Sequence, residues 1–225
     1  MKNLISLILL ILFVSAFSQQ QSLLSGRDGF LYLNKTADLE LELDDIEGSP
    51  YLNSSFMYAF VDNNTAKPYK LRYNVYKDEM EFARDGEIFY LDKNKYKTIT
   101  FEPFKKYVVT NYLLKDINAV GFLVEVIDGE NYGILKKEII KFIPERTVSK
   151  GLSETHTPAQ FKQQSDVYFV RLNDKSLVEM PTSKNKFAQL FKGKEKKIEK
   201  FMKENKTSLS DEKDLKELVE YINTL

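Results

Sequence analysis

Carboxylates are the side chains that could do chemistry in this chain, because thiol and imidazole groups are almost missing from it. There is no cysteine, and His156 is the single histidine. That composition excludes thiol catalysis, iron–sulfur clusters and zinc sites built from Cys and His. No nucleophile-elbow pattern surrounds Ser153 or Ser165, the serines near His156, and no glycine-rich phosphate loop is present. Two acidic clusters remain, Asp44-Asp45 with Glu47, and Asp78-Glu79 with Glu81. Glycoside hydrolysis uses two carboxyl groups set across a cleft, so a polysaccharide hydrolase is one reading of such clusters.

A third acidic feature is regular. Asp38, Glu40, Glu42 and Asp44 alternate with Leu39, Leu41 and Leu43. On a strand these four carboxylates share one face at intervals of roughly 7 Å. Like charges in a row repel, so they need solvent, lysines or a charged partner. An acidic row also protects an edge strand from pairing with another chain. A calcium site has no support, because the oxygen-ligand spacing of a calcium loop is missing. The acidic row and Arg72, Tyr73 and Tyr76 are the candidate binding residues; no metal or cofactor is expected.

The elements that must position these residues follow from hydropathy patterning. From Phe30 to Ile143 the chain reads as strands, with apolar runs at 56–61, 71–75, 87–91, 97–101, 106–114, 120–127 and 132–140. Asp85-Gly86 is a two-residue hairpin signal, and Asp128-Gly129 marks a second tight turn. Strands this close together leave no room for crossover helices, so an antiparallel meander is expected. Tyr107 and Val109 alternate with Val108 and Tyr112, apolar on both faces. Two covered faces predict a barrel-like or sandwich-like sheet.

Residues 145–165, rich in Thr, Ser and Gln, read as an exposed loop, and strands return at 166–172 and 176–180. The β domain thus spans 30–183. Over 184–225 the period changes to helical: Leu215, Leu218, Val219 and Ile222 recur at i, i+3, i+4 and i+7. A helical hairpin packed on the β domain is predicted, with Ser210 as the cap of its last helix.

Residues 1–18 have the form of an export signal, with Lys2, an apolar stretch from Leu4 to Phe17 and the small-x-small site Ala16-Phe17-Ser18. The stretch is shorter than the roughly twenty residues that a spanning helix needs. Residues 19–29 form a polar leader. Basic and acidic residues balance at 33 each, which argues against a nucleic-acid binder. The lysine-rich stretch 192–206, with seven lysines and three glutamates, could face solvent or an anionic envelope surface.

The chain resembles a group of uncharacterised exported proteins of Bacteroidetes-type bacteria. The likeness is carried by the signal end and Gln19, by Gly48–Asn53, by Leu71–Phe82 and by Asp214–Asn223. It implies a periplasmic or outer-membrane-associated location, or release from the cell, and brings no activity or catalytic residue. The expectation is therefore an exported, non-enzymatic envelope protein that binds a protein or glycan. Two rival readings are the carboxylate-dependent hydrolase and, if the meander encloses an empty barrel, a carrier of a small apolar ligand.

Overall fold

The computed structural model describes residues 33–34, 46–62, 67–103, 105–150 and 153–225. The acidic row Asp38, Glu40, Glu42 and Asp44 lies outside the described residues, as do the export segment 1–18 and the leader 19–29.

The protein is mainly antiparallel β with helices at its C-terminal end. The strands are β1 (Leu33–Asn34), β2 (Met57–Val61), β3 (Tyr69–Asn74), β4 (Glu79–Arg84), β5 (Glu87–Leu91), β6 (Thr98–Phe101), β7 (Lys105–Leu114), β8 (Ile117–Asp128) and β9 (Gly133–Lys137). They continue as β10 (Ile140–Ile143), β11 (Arg146–Lys150), β12 (Ser153–Thr157), β13 (Gln160–Gln163), β14 (Val167–Arg171) and β15 (Leu177–Glu179). Eleven of them, counting the two-residue β1, form one sheet in the order β1-β5-β4-β3-β2-β6-β7-β8-β9-β14-β15. This sheet curls into a half-barrel, in keeping with the barrel-like arrangement expected of it.

Turn chemistry sets the hairpins. Asp85 and Gly86 both take positive φ, 53° and 80°, as a tight two-residue β-turn between twisted strands requires. Lys115 and Asp116 make the β7–β8 turn at φ 49° and 64° with no glycine.

The double-faced strands separate three packed regions. Tyr107, Val109, Phe122 and Val124 join Leu71, Tyr73 and Ile99 in one core. Tyr112, Leu123, Leu135 and Phe169, pointing the other way, form a second core. Ile134 and Val170 lie under the helices α1 (Lys184–Ala188), α2 (Glu195–Glu204) and α3 (Glu212–Thr224). The stripe Leu215, Leu218, Val219 and Ile222 is fully buried there. Each such side chain contributes roughly 1.5–3 kcal/mol through burial.

Within 145–165, the described residues are mostly strand and not loop. β10 pairs with β13 and β11 with β12, in register from Ile140↔Gln163 to Lys150↔Ser153. The two ladders are separated where Pro144-Glu145 and Pro158-Ala159 interrupt them, since proline cannot donate to a ladder. Phe142 and Phe161 at the ribbon base pack on the first core. Beyond the base, Arg146, Thr147, His156 and Thr157 are exposed, and Thr147 Oγ1 and His156 Nδ1 lie 3.2 Å apart across the ribbon. A solvated two-stranded ribbon needs no apolar alternation, so the sequence pattern hid it.

The helices are tied to the sheet by polar contacts as well. Asn223 Oδ1 accepts from the backbone N–H groups of Asn131 and Tyr132, at 2.9 and 3.0 Å, and its Nδ2 donates to the Tyr132 carbonyl. A Cβ on Gly129 would collide with this amide, so the turn there must be bare. Phe201 and Tyr221 stack between α2 and α3, with centroids 4.3 Å apart.

Asp211, not Ser210, caps α3: its carboxylate accepts from the Lys213 and Asp214 amides at 2.9 and 3.0 Å. A charged acceptor at the positive end of the helix outcompetes a hydroxyl one residue earlier. Asp211→Ala is expected to lower stability by about 1 kcal/mol, and Ser210→Ala by a few tenths. Urea unfolding midpoints check this; equal effects of the two changes would contradict the assignment.

Candidate functional site

Arg72, Tyr73 and Tyr76 do not converge on one binding surface. Arg72 donates from Nε and Nη2 to Glu81 Oε2, at 2.8 and 2.5 Å, and from Nη1 to the Ser54 carbonyl at 3.0 Å. Its guanidinium carbon lies 4.0 Å from the Tyr51 ring centroid and 4.4 Å from that of Phe56. Glu81, 2% exposed, also accepts from Asn74 Nδ2 at 2.9 Å and from the Tyr51 hydroxyl at 3.1 Å. Arg72 is thus a buttress inside the sheet. Tyr73 follows it on the strand, faces the opposite side and is buried in the first core. Tyr76 is the most open of the three, its ring against Phe161 and Phe142.

The carboxylate cluster is similarly occupied. Asp78, at φ 56°, accepts on Oδ1 from the Tyr73 hydroxyl at 2.6 Å, from Lys137 Nζ at 2.5 Å and from the Phe122 N–H at 3.2 Å. Lys93 Nζ approaches its Oδ2 at 3.3 Å. Lys137 also donates to Tyr73 Oη and to the Phe122 carbonyl, so its three protons all have acceptors. Burial holds the Lys137 ammonium below its ordinary pKa, although Asp78 pulls the other way. Gly121 must be bare, because a Cβ there would collide with Asp78 Oδ2.

Glu79 faces Lys93 at 3.7 Å, and burial raises its pKa. Glu138 takes the Tyr107 hydroxyl at 2.8 Å and Lys105 at 2.6 Å. Asp78, Glu79 and Glu81 each meet internal cations or donors. They do not face one another across an opening as paired acid–base carboxylates must.

An open site lies elsewhere. Between the β14–β15 strands and the loop joining α2 to α3 is a cavity of about 810 Å³. Asp166, Tyr168, Glu179, Met180, Lys184 and Lys206 stand in its wall. Tyr168 is oriented by its hydroxyl, which donates to Glu212 Oε1 at 3.0 Å. Lys136 Nζ donates to the same oxygen at 2.7 Å and sits 3.3 Å from Asp166 Oδ2. Burial alone would lower the Lys136 pKa, but Glu212 and Asp166 outweigh it and raise it. Burial would raise that of Glu212, but Lys136 and Tyr168 hold it below the usual carboxylate range.

Asp166 itself is under-satisfied: its buried Oδ1 has no hydrogen-bond donor among the described residues. No family model, curated protein or solved structure matches this chain. The site therefore has to be interpreted from its own chemistry.

The rim of the cavity is polar and carries both charges. Glu179, Lys184 and Lys206 are exposed and make no side-chain hydrogen bond or ion pair among the described residues, so the rim offers both donors and acceptors. Among the described residues no group of three or more His, Cys, Asp or Glu side chains is placed to hold a metal ion, and no helix is long and apolar enough to cross a membrane.

Sequence reasoning reached only Lys206, within the lysine-rich stretch, and missed Asp166, Glu179 and Lys184. These residues come from three separate elements, and no local spacing links them.

Proposed function

We propose that this protein is exported and binds a partner in a bacterial cell envelope without turning it over, and that of the two partner classes, protein and glycan, a glycan is the better fit. The cavity at the seam of sheet and helices carries this reading. It is concave, holds hydroxyl, carboxylate and ammonium groups around Tyr168 and Met180, and falls within the roughly 300–1,000 Å³ of small-ligand sites. The export form of residues 1–18 and the resemblance to exported Bacteroidetes-type proteins support the location.

A hydrolase draws no support from Asp78, Glu79 and Glu81, which face internal partners. An apolar-ligand carrier would need an empty apolar chamber. Both faces of β7 and β8 pack into cores, Tyr107 and Phe122 in one and Tyr112 and Leu123 in the other.

The test is co-sedimentation of the purified protein with isolated cell-wall and outer-membrane polysaccharide, alongside crosslinking in intact cells. Retention on the polysaccharide that soluble oligosaccharide competes away is the expected result. A crosslinked protein partner with no glycan retention would move the assignment to the protein class. Release of new reducing ends would overturn it in favour of the hydrolase.

A further inference from the structure

We infer that the seam cavity is a saccharide site for an uncharged sugar of one or two rings, and that the bound sugar ties the sheet edge to the helical cap. This rests on the glycan reading above and adds the place, the charge class and the mechanical role.

Charge balance comes first. The ionisable wall residues are Asp166, Glu179, Lys184 and Lys206, two of each sign. An anionic ligand would meet both carboxylates and a cationic ligand both lysines, whereas a neutral polyhydroxyl ligand can use all four. Sugar hydroxyls donate and accept together, which suits a rim of ammonium, carboxylate and hydroxyl groups. Hydrocarbon would leave those groups desolvated and unpaired.

Second, Asp166 has acceptor capacity to spare. Among the described residues Lys136, 3.3 Å from Oδ2, is its one cation; Oδ1 is buried with no donor, and the 21% of the side chain that is exposed is what a ligand can reach. A carboxylate of this kind gains more from a new donor than one that is already saturated, such as Glu81. The Tyr168 ring, held by its hydroxyl bond to Glu212, gives an apolar surface whose orientation is fixed before a ligand arrives. The carbon-bound face of a sugar ring can lie on it.

Third, the walls belong to different layers. Asp166, Tyr168 and Glu179 come from the sheet edge, and Lys184 and Lys206 from the helical cap. A ligand touching both closes a bridge between them. The loop carrying Lys206 is anchored beneath it by buried Thr207, whose N–H donates to the Met202 carbonyl at 3.0 Å.

The experiment is an amide-shift titration of the isotope-labelled exported protein with glucose, galactose, N-acetylglucosamine and their β-linked disaccharides. Glucuronate and inorganic phosphate serve as charged controls, and amide exchange is followed in parallel. Shifts should concentrate at 165–168, 179–184 and 206–210 with a neutral sugar and be weak with the controls. Exchange at 206–210 should slow on binding. Asp166→Asn and Glu179→Gln should each weaken binding by about tenfold or more, with the urea midpoint nearly unchanged.

Shifts that fall elsewhere would overturn the seam site while leaving the glycan reading standing. Tighter binding of glucuronate or phosphate would overturn the charge class. Binding at the seam with no slowing at 206–210 would overturn the bridge. If no neutral sugar binds, the seam inference fails, and polysaccharide sedimentation decides the wider reading independently.

Discussion

Between about pH 9 and about pH 12 the protein is expected to unfold in one cooperative step, driven by its buried tyrosines. Burial raises the pKa of Tyr51, Tyr73 and Tyr107, and nearby carboxylates, Glu81, Asp78 and Glu138 in turn, push the same way. Tyr112 and Tyr168, less enclosed, are each pushed up to about 12. In the unfolded chain a tyrosine gives up its proton near pH 10. In the native chain these keep theirs to higher pH. Above about pH 10 the native state therefore binds more protons, and stability falls as pH rises.

Tyr73 and Tyr107, the most enclosed of the five, should each contribute up to about 1.4 kcal/mol per pH unit. Lys137 acts oppositely: its lowered pKa makes stability rise with pH until the unfolded lysine titrates near 10.4, and it adds nothing beyond. Lys136, with a raised pKa, reinforces the alkaline loss above that point. Circular dichroism across a pH series, read with tyrosinate absorbance, measures this. The two signals should move together, and Tyr107→Phe should make the alkaline limb shallower. Full tyrosinate absorbance in a chain that is still folded would contradict the prediction.

Arg72→Met is expected to lower stability by about 3–5 kcal/mol at neutral pH. The change strands Glu81, whose side chain is 3% exposed, with only neutral donors from Asn74 and Tyr51. It also removes the cation lying over Tyr51 and Phe56. Replacing both members of the pair by methionine should recover much of that loss, because the large cost of the single change is the uncompensated charge. Urea unfolding of the two single variants and the double variant gives the coupling between them. A loss under about 1 kcal/mol for Arg72→Met would show that the pair is solvated and not structural.

The fold was legible where burial imposes a period. β7 and β8 cover cores on both faces, and Tyr107/Val108 and Phe122/Leu123 divide between those cores as the alternation predicts. The four-residue stripe of α3 was equally clear because one face of that helix is fully buried. Legibility failed where pairing needs no burial. The 146–157 ribbon is built from polar types such as Thr147 and His156, and its backbone bonds leave no mark in hydropathy.

The candidate site was harder still. Arg72 and Tyr73 stood out as polar and aromatic residues in a strand, yet whether an arginine binds a ligand or a buried glutamate depends on the register that sets Arg72 opposite Glu81. Asp166, Glu179 and Lys206 are ordinary surface types in sequence, brought together only by the seam between sheet and helices.

The strand order also dictates when the molecule can be completed. β7, β8 and β9 each pair with the preceding strand and can assemble as they emerge, but the free side of β9 waits for β14, which follows the whole ribbon. Until then β9 presents an unpaired edge, and Ile134 and its neighbours lack the helices that finally cover them. Glu47, near the other end of the described chain, closes on the ribbon only when Gln160 and Phe161 arrive. Synthesis or transport from the N-terminal end thus yields a nascent chain that stays open and sticky until its last helices appear. A ribosome stalled between β9 and α3 would hold a chain whose sheet edge and helix-side core are still uncovered, a substrate for chaperones.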